Sequence, residues 1–288
     1  MSELNAPLKM YLGGCFDERF GKSPDSSSEE AKKERERIVS VAAQNAEIIV
    51  DRITQELKIA ANMRPGKRQR EASAEAIINS RAVMDSYIIA SQSSVEGQVG
   101  PPACKVGCNE CCHGEAVSIT GIDAQYLVIF LLATKTRRDL VRLVPKLKAM
   151  EEAHRTSKHG SGTSAYRHPC AFLEDGKCSV YEARPSTCKN FQSSDPGDCG
   201  KGSGLINDPL IFEAIHRVDV IAAANLVLYG NVPSGERGHA MAPLAEAMLQ
   251  EIKVLLSVPK GHLKKLQAEA RRHWKPAKII GKAKLIEQ

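Results

Sequence analysis

No apolar run in this chain is long. The longest, residues 126–133, spans eight residues, against the roughly 20 that a helix needs to cross a bilayer. The opening residues, Met1 to Pro7, lack the basic-then-apolar pattern of a secretory signal. These absences predict a cytoplasmic protein without a transmembrane segment. Aromatics are scarce, at 5% with a single tryptophan, Trp274, and no motif for reading bases is present. No Gly-rich nucleotide loop follows a strand pattern. No repeat recurs at a solenoid period. Strand and helix patterns do not alternate, which argues against a parallel sheet built from crossover units.

What is present is an ordinary globular balance. The chain has 288 residues, 42% apolar and 26% charged, enough for one large domain or two modest ones. The net charge of +6 is unevenly placed, because Lys253 to Gln288 holds ten Lys/Arg against two Glu. The rest of the chain is slightly acidic. A basic tail over 258–288, with Leu, Ile and Trp274 interleaved, has two readings. It contacts a polyanion, either nucleic acid or an acidic membrane surface, or it is a solvated end that aids solubility.

Residues 1–35 are polar and punctuated by Gly and Ser, which predicts disorder, with Cys15 an isolated thiol. Helical spacing of apolar residues predicts helices over about 30–61 and 72–91, an antiparallel pair within 36–95. Gly97, Gly100, Pro101 and Pro102 break the chain before a cysteine region at 104–199. Inside that region a short strand is expected at 116–119. A helix opened by Thr120 and Asp123 follows. A further stripe at Leu140, Val144 and Leu147 is expected to be kinked or broken by Pro145. Residues 205–257 carry two more helices, one begun by Asp208 and Pro209, the other showing Leu244, Met248, Ile252 and Leu255. A basic amphipathic helix over 259–274 places Leu263, Leu266, Ala270 and Trp274 on one side. The expected fold class is mainly α: a helical scaffold with an inserted cysteine-rich metal-binding loop and hairpin region.

The chemistry lies in the cysteines. Four of the nine fall within nine residues: Cys104, Cys108, Cys111 and Cys112. A second group follows at Cys170, Cys178, Cys188 and Cys199. In a reducing compartment such clusters read as metal ligands or redox groups before disulfides, and adjacent cysteines such as Cys111 and Cys112 do not readily bridge. Converging thiolates suit zinc or iron. Eight cysteines fill two four-thiolate zinc sites, or supply one Fe–S cluster and leave others for a second metal or redox work. The run Cys104, Cys108, Cys111 also matches the triplet of radical S-adenosylmethionine enzymes, but those use a β/α barrel and this chain shows few strands.

Asp175-Gly176 between apolar runs is a hairpin signal. Strand alternation then sets a condition. If Cys170 and Cys178 share one centre, a three-residue turn at 174–176 is expected, with Phe172 opposite Cys178 and Gly176 at positive φ. A two-residue turn sets Leu173 opposite Cys178 and the thiols on opposite faces. Pro185 fixes a turn that brings Cys188 back toward the cluster. Arg184 either offsets thiolate charge or pairs with Glu182.

Taken in order, the cysteine run, Cys170 to Leu173, Gly176 to Glu182 and Arg184-Pro185 with Cys188 resemble the YkgJ-type cysteine-cluster family, described as zinc- or iron-chelating. The likeness covers about residues 104–191. It implies a metal role for Cys104, Cys108, Cys111, Cys112, Cys170, Cys178 and Cys188, with Tyr181, Arg184 and Pro185 completing the motif. Cys199 lies outside its firmest part, and Ala171 stands where the family has proline. The cluster is more distantly similar to that of the flagellin lysine methylase, which implies a protein lysine methyltransferase; with an Fe–S centre doing redox chemistry instead, the enzyme reading is an oxidoreductase.

His113, His168 and Glu110 adjoin the cysteines and are candidates for a ligand, a proton carrier or a base, although loop residues of these types are more often solvated. The sequence thus predicts a protein that binds zinc or iron, with an Fe–S cluster as one form of the latter. The alternatives are the enzyme just named and a metal-stapled interaction module whose basic tail, 258–288, meets a protein or polyanion. No catalytic residue and no substrate are legible.

Overall fold

The structure is a computed structural model describing residues 59–60, 62–64, 66–99, 107–113, 117–157, 168–190 and 242–274. Helices take 74% of the interpretable residues, and the mainly α expectation holds. The elements run in this order: α1 Lys67–Val99, a 3-10 turn Glu110–His113, β1 Ser118–Ile119, α2 Gly121–Thr134, α3 Arg137–Ser157, β2 Leu173–Glu174, β3 Lys177–Cys178, a 3-10 turn Tyr181–Ala183, α4 Ser186–Asn190, β4 Ala242–Pro243, α5 Leu244–Ser257 and α6 Lys260–His273.

Helix α2 is the centre of the core. It is apolar on nearly every side, as a helix enclosed by others must be. Tyr126, Leu127, Val128, Ile129, Leu131 and Leu132 are all sealed from solvent. Thr120 is its N-cap, with the side chain accepting from the Asp123 amide at 3.0 Å. Helices α1, α5 and α6 pack around it, and α3 packs on α5. The expected faces of α5 and α6 are the buried ones: Leu244, Met248, Ile252 and Leu255 on the first, Leu263, Leu266 and Ala270 on the second. Trp274 closes α6 against Tyr126 and Phe130, ring centroids 5.0 Å away in each case. Up to Trp274 the basic tail is therefore a packed element and not a frayed end.

Three expectations need correction. Helix α1 is longer than the 72–91 expected: it starts at Lys67 and runs through Gly97 to Val99. Helix α3 runs unbroken through Pro145. The proline is exposed, and Val141, whose carbonyl loses its donor, is 50% exposed, so the lost bond falls on the solvent side of the helix, where it costs least. Strand β1 is shorter than expected and pairs antiparallel with β4, Ser118 opposite Pro243 and Ile119 opposite Ala242. The segment just before α2 is thus tied to the start of α5, where Leu244 N donates to Val117 O at 2.9 Å. The first helix of the expected pair apart from residues 59–60, the 1–35 segment, the helix after Pro209, residues 275–288, Cys15, Cys104 and Cys199 lie outside the described residues. No described helix is long and apolar enough to cross a membrane.

Candidate metal centre

The first cysteine loop begins at Gly107, whose φ of +92° only glycine adopts readily. Cys108 follows it, and the chain tightens into the 3-10 turn that carries Cys111 and Cys112, closed by Cys112 N donating to Asn109 O at 2.9 Å. Two bonds bind this loop to the second cysteine segment. Cys170 N donates to Cys112 O at 2.7 Å. Asn109 Nδ2 donates to Gly176 O, at the hairpin tip, at 2.9 Å. The two cysteine regions, about sixty residues apart in sequence, are therefore in direct contact.

The hairpin turn differs from the bulged one expected. Leu173 is opposite Cys178 and Glu174 opposite Lys177, so the turn is the two-residue one. Asp175 (φ 50°) and Gly176 (φ 71°) both take positive φ, as a type I′ turn requires. The alternation argument fails for a local reason. Leu173 N donates to Cys170 O at 2.9 Å, so residues 170–173 form a turn, and Cys170 never joins the strand whose faces were being counted. Ser179 N and Oγ both donate to Phe172 O, each at 2.9 Å, which holds the strands together beside the turn.

Cys188 arrives on α4. Pro185 is buried at its start, and Ser186 N and Oγ donate to Asp123 Oδ1 at 2.9 and 3.0 Å. Thr187 Oγ1 donates to Ser118 O at 2.8 Å. On the far side of Cys188, Lys189 Nζ meets Asp85 Oδ2 at 2.6 Å. The carboxylate of Asp123 also faces Arg81, a fully buried arginine on α1.

None of the six described cysteines is in a disulfide, and each is half-buried. Five of them feel one another. The Cys112 thiol is pushed far up, first by its hydrogen bond with Cys111, then by burial and by the charges of Cys111, Cys170 and Cys178. Burial pushes Cys170 up to about 11, against a bond from the Phe172 amide, with Cys178 and Cys111 adding to the rise. Burial raises Cys178 as well, while the Val180 amide and Arg184 pull it down. Cys188 stands well above its usual value through burial and the fields of Cys170, Cys111 and Cys178, partly relieved by Arg184. Cys111, Cys112, Cys170, Cys178 and Cys188 thus occupy one neighbourhood. Of the two readings of Arg184, charge relief is the one its effect on these thiols supports. Its guanidinium also lies over the Tyr181 ring, 4.5 Å from the centroid.

Glu110 and His113 are the ends of the 3-10 turn that carries Cys111 and Cys112, and both are exposed; His168 bonds its neighbour's carbonyl, Nδ1 to Pro169 O at 2.8 Å. Among the described residues no three Cys, His, Asp or Glu donors already stand in ligating geometry. The donor chemistry nonetheless fits a thiophilic cation: Cys170, Cys178 and Cys188 resist ionisation chiefly through burial, and Cys112 through its bond with Cys111, with other thiols adding to the rise, and a divalent cation would supply the missing opposite charge. A cavity of about 460 Å³ adjoins the hairpin, lined by Leu131, Lys135, Leu143, Phe172, Glu174 and Ser179 among others, none of them cysteine. Sequence reasoning does not single out Arg81, Asp85, Asn109 or Lys189, and it marks Asp123 only as a capping residue.

Fold and site define a class: a helical scaffold that clamps two cysteine segments together. The comparison with known families agrees. Residues 103–205 match the CxxCxxCC family model, described as a putative zinc- or iron-chelating domain. No curated protein and no solved structure matches the chain.

Proposed function

We propose that this chain is a zinc- or iron-binding protein whose ligands are drawn from Cys104, Cys108, Cys111, Cys112, Cys170, Cys178, Cys188 and Cys199. The observation that carries this reading is that bonds from Cys170 N to Cys112 O and from Asn109 Nδ2 to Gly176 O bring half-buried cysteines of two distant segments together. Crowded thiolates are mutually repulsive, and a cation bound among them would supply the compensating charge. The protein's own residues do the rest. The Cys112–Cys170 and Asn109–Gly176 bonds hold the two segments in register, Arg184 lowers the cost of ionising Cys178 and Cys188, and the Ser186–Asp123 bonds fix the helix that carries Cys188.

Anaerobic purification followed by metal and acid-labile sulfide analysis tests this. Iron with labile sulfide would establish an Fe–S centre and end the pure zinc reading. Zinc alone, at one or two equivalents, would end the Fe–S reading. Protein that carries neither metal and takes up neither in reconstitution would overturn the proposal.

A further inference from the structure

We infer that Arg81, which lies outside the matched cysteine domain, is a positioning residue for Cys188, and that metal affinity depends on it. This rests on the metal-binding reading above.

Arg81 is 0% exposed and is the largest fully buried side chain among the described residues. Its guanidinium engages four acceptors. Nη1 donates to Asp123 Oδ1 and to Ser186 Oγ. Nη2 donates to Asp85 Oδ1 at 3.0 Å and to the carbonyl of Arg184 at 2.9 Å. Tyr126 lies against it, ring centroid 5.2 Å away. Two of the four acceptors, Arg184 O and Ser186 Oγ, belong to the turn just before Cys188. The other two are carboxylates that themselves hold the flanks of Cys188: Asp123 takes the Ser186 amide at 2.9 Å and Asp85 takes Lys189 Nζ at 2.6 Å. Residues 184, 186 and 189 are thus each bonded to Arg81 or to a carboxylate whose charge Arg81 balances.

Helix α4 has five residues, too few to hold a helical conformation by itself. Its place therefore comes from these bonds and from Thr187 on β1. A planar fork that reaches several acceptors at once is a property of arginine and not of lysine. The buried charges cost desolvation that apolar packing would avoid, and what they accomplish here is to join α1, α2 and the Cys188 turn at one point. The metal-binding segment is thereby completed by a helix outside it.

The test uses the full chain in metal-free form, titrated with cobalt(II), whose thiolate charge-transfer and ligand-field bands report ligand geometry. The variants are Arg81→Lys, Ser186→Ala and, as a stability control in the helical core, Met248→Ala. Arg81→Lys is expected to keep its far-UV helicity, to bind cobalt(II) about 10- to 100-fold more weakly and to shift the bands, as loss of an orienting outer contact does. Ser186→Ala is expected to move affinity in the same direction by less. Met248→Ala is expected to lose stability with bands and affinity unchanged. Should Arg81→Lys unfold, Ser186→Ala carries the test alone. Cobalt affinity and bands within about twofold of the parent in both site variants would overturn the inference, as would an equal loss in Met248→Ala. A parent protein that binds no cobalt(II) would instead overturn the metal reading itself.

Discussion

At the scale of residues, the buried polar groups decide most. Burial works against the charge on Arg81, and Asp85 and Asp123 more than restore it, so its pKa lies above the usual value. Lys189 is drawn the other way, by burial and by the nearby Arg81, with Asp85 opposing. Asp85 and Asp123 are therefore partners that cannot be left alone in the interior. Replacing Arg81 by Met is expected to cost about 3–5 kcal/mol, because it takes the counter-charge from buried Asp123 and leaves Asp85 with Lys189 alone; urea unfolding of the metal-free protein measures it. The thiols make a second prediction. Cys170 is raised from 9.0 to about 11, so the folded chain holds this proton more tightly than the unfolded one. Stability of the metal-free protein is then full below the unfolded value and falls as pH rises through 9 toward 11. Cys170 alone contributes on the order of 2 kcal/mol to that fall. Comparing urea midpoints across this window in the parent and in Cys170→Ala checks it, since the variant lacks the component. Sequence reasoning passes over Arg81 because an arginine four residues from an aspartate on a helix reads as a surface pair.

At the scale of elements, the hairpin and the short helix α4 are where local rules meet tertiary ones. Asp175-Gly176 names its own turn, since both residues tolerate the positive φ that a type I′ turn demands. Gly176→Val is expected to destabilise by about 1–2 kcal/mol, from the backbone conformation alone. A Cβ at Gly176 would stand 3.5 Å from Asn109 Nδ2, an ordinary contact, so sterics add little. A denaturant midpoint for Gly176→Val against Asp175→Asn, expected near neutral, separates backbone strain from loss of side chain. The bulged turn inferred from alternation fails because alternation holds only within a strand, and Cys170 sits in a turn before it. Helix α2 is legible in the sequence because its apolar run and its Thr120–Asp123 opening agree. The second use of Asp123, as the acceptor for Arg81 and Ser186, is not, because nothing local marks a capping residue as the partner of one forty-two positions earlier.

At the scale of the molecule, α6 changes what the basic tail means. Its apolar side is buried, Arg70 pairs with Glu269 at 3.3 Å, and Gln267 Nε2 donates to Lys135 O at 2.9 Å. Cutting the chain after Ser257 is expected to unfold it, because Leu263, Leu266 and Ala270 leave the core and each large aliphatic loss of this kind costs about 2–5 kcal/mol. Polyanion binding by the basic residues after Trp274 is therefore tested by a truncation that keeps α6 and not by one that removes it, with a thermal melt of each truncated chain as the control for folding.

Local sequence specifies the helices whose apolar spacing is strong, the identity of the turn residues and the donor chemistry of the cysteines. These follow from each residue's own conformational range and from side-chain periodicity, which neighbours in the chain already specify. Tertiary structure alone decided that Cys112 and Cys170 share a backbone bond, that Cys188 is held by residues of α1 and α2, and that Arg81 is interior. Those facts depend on which distant surfaces pack together. A charged side chain carries no local mark of burial; only the partners brought to it by the fold offset the loss of water.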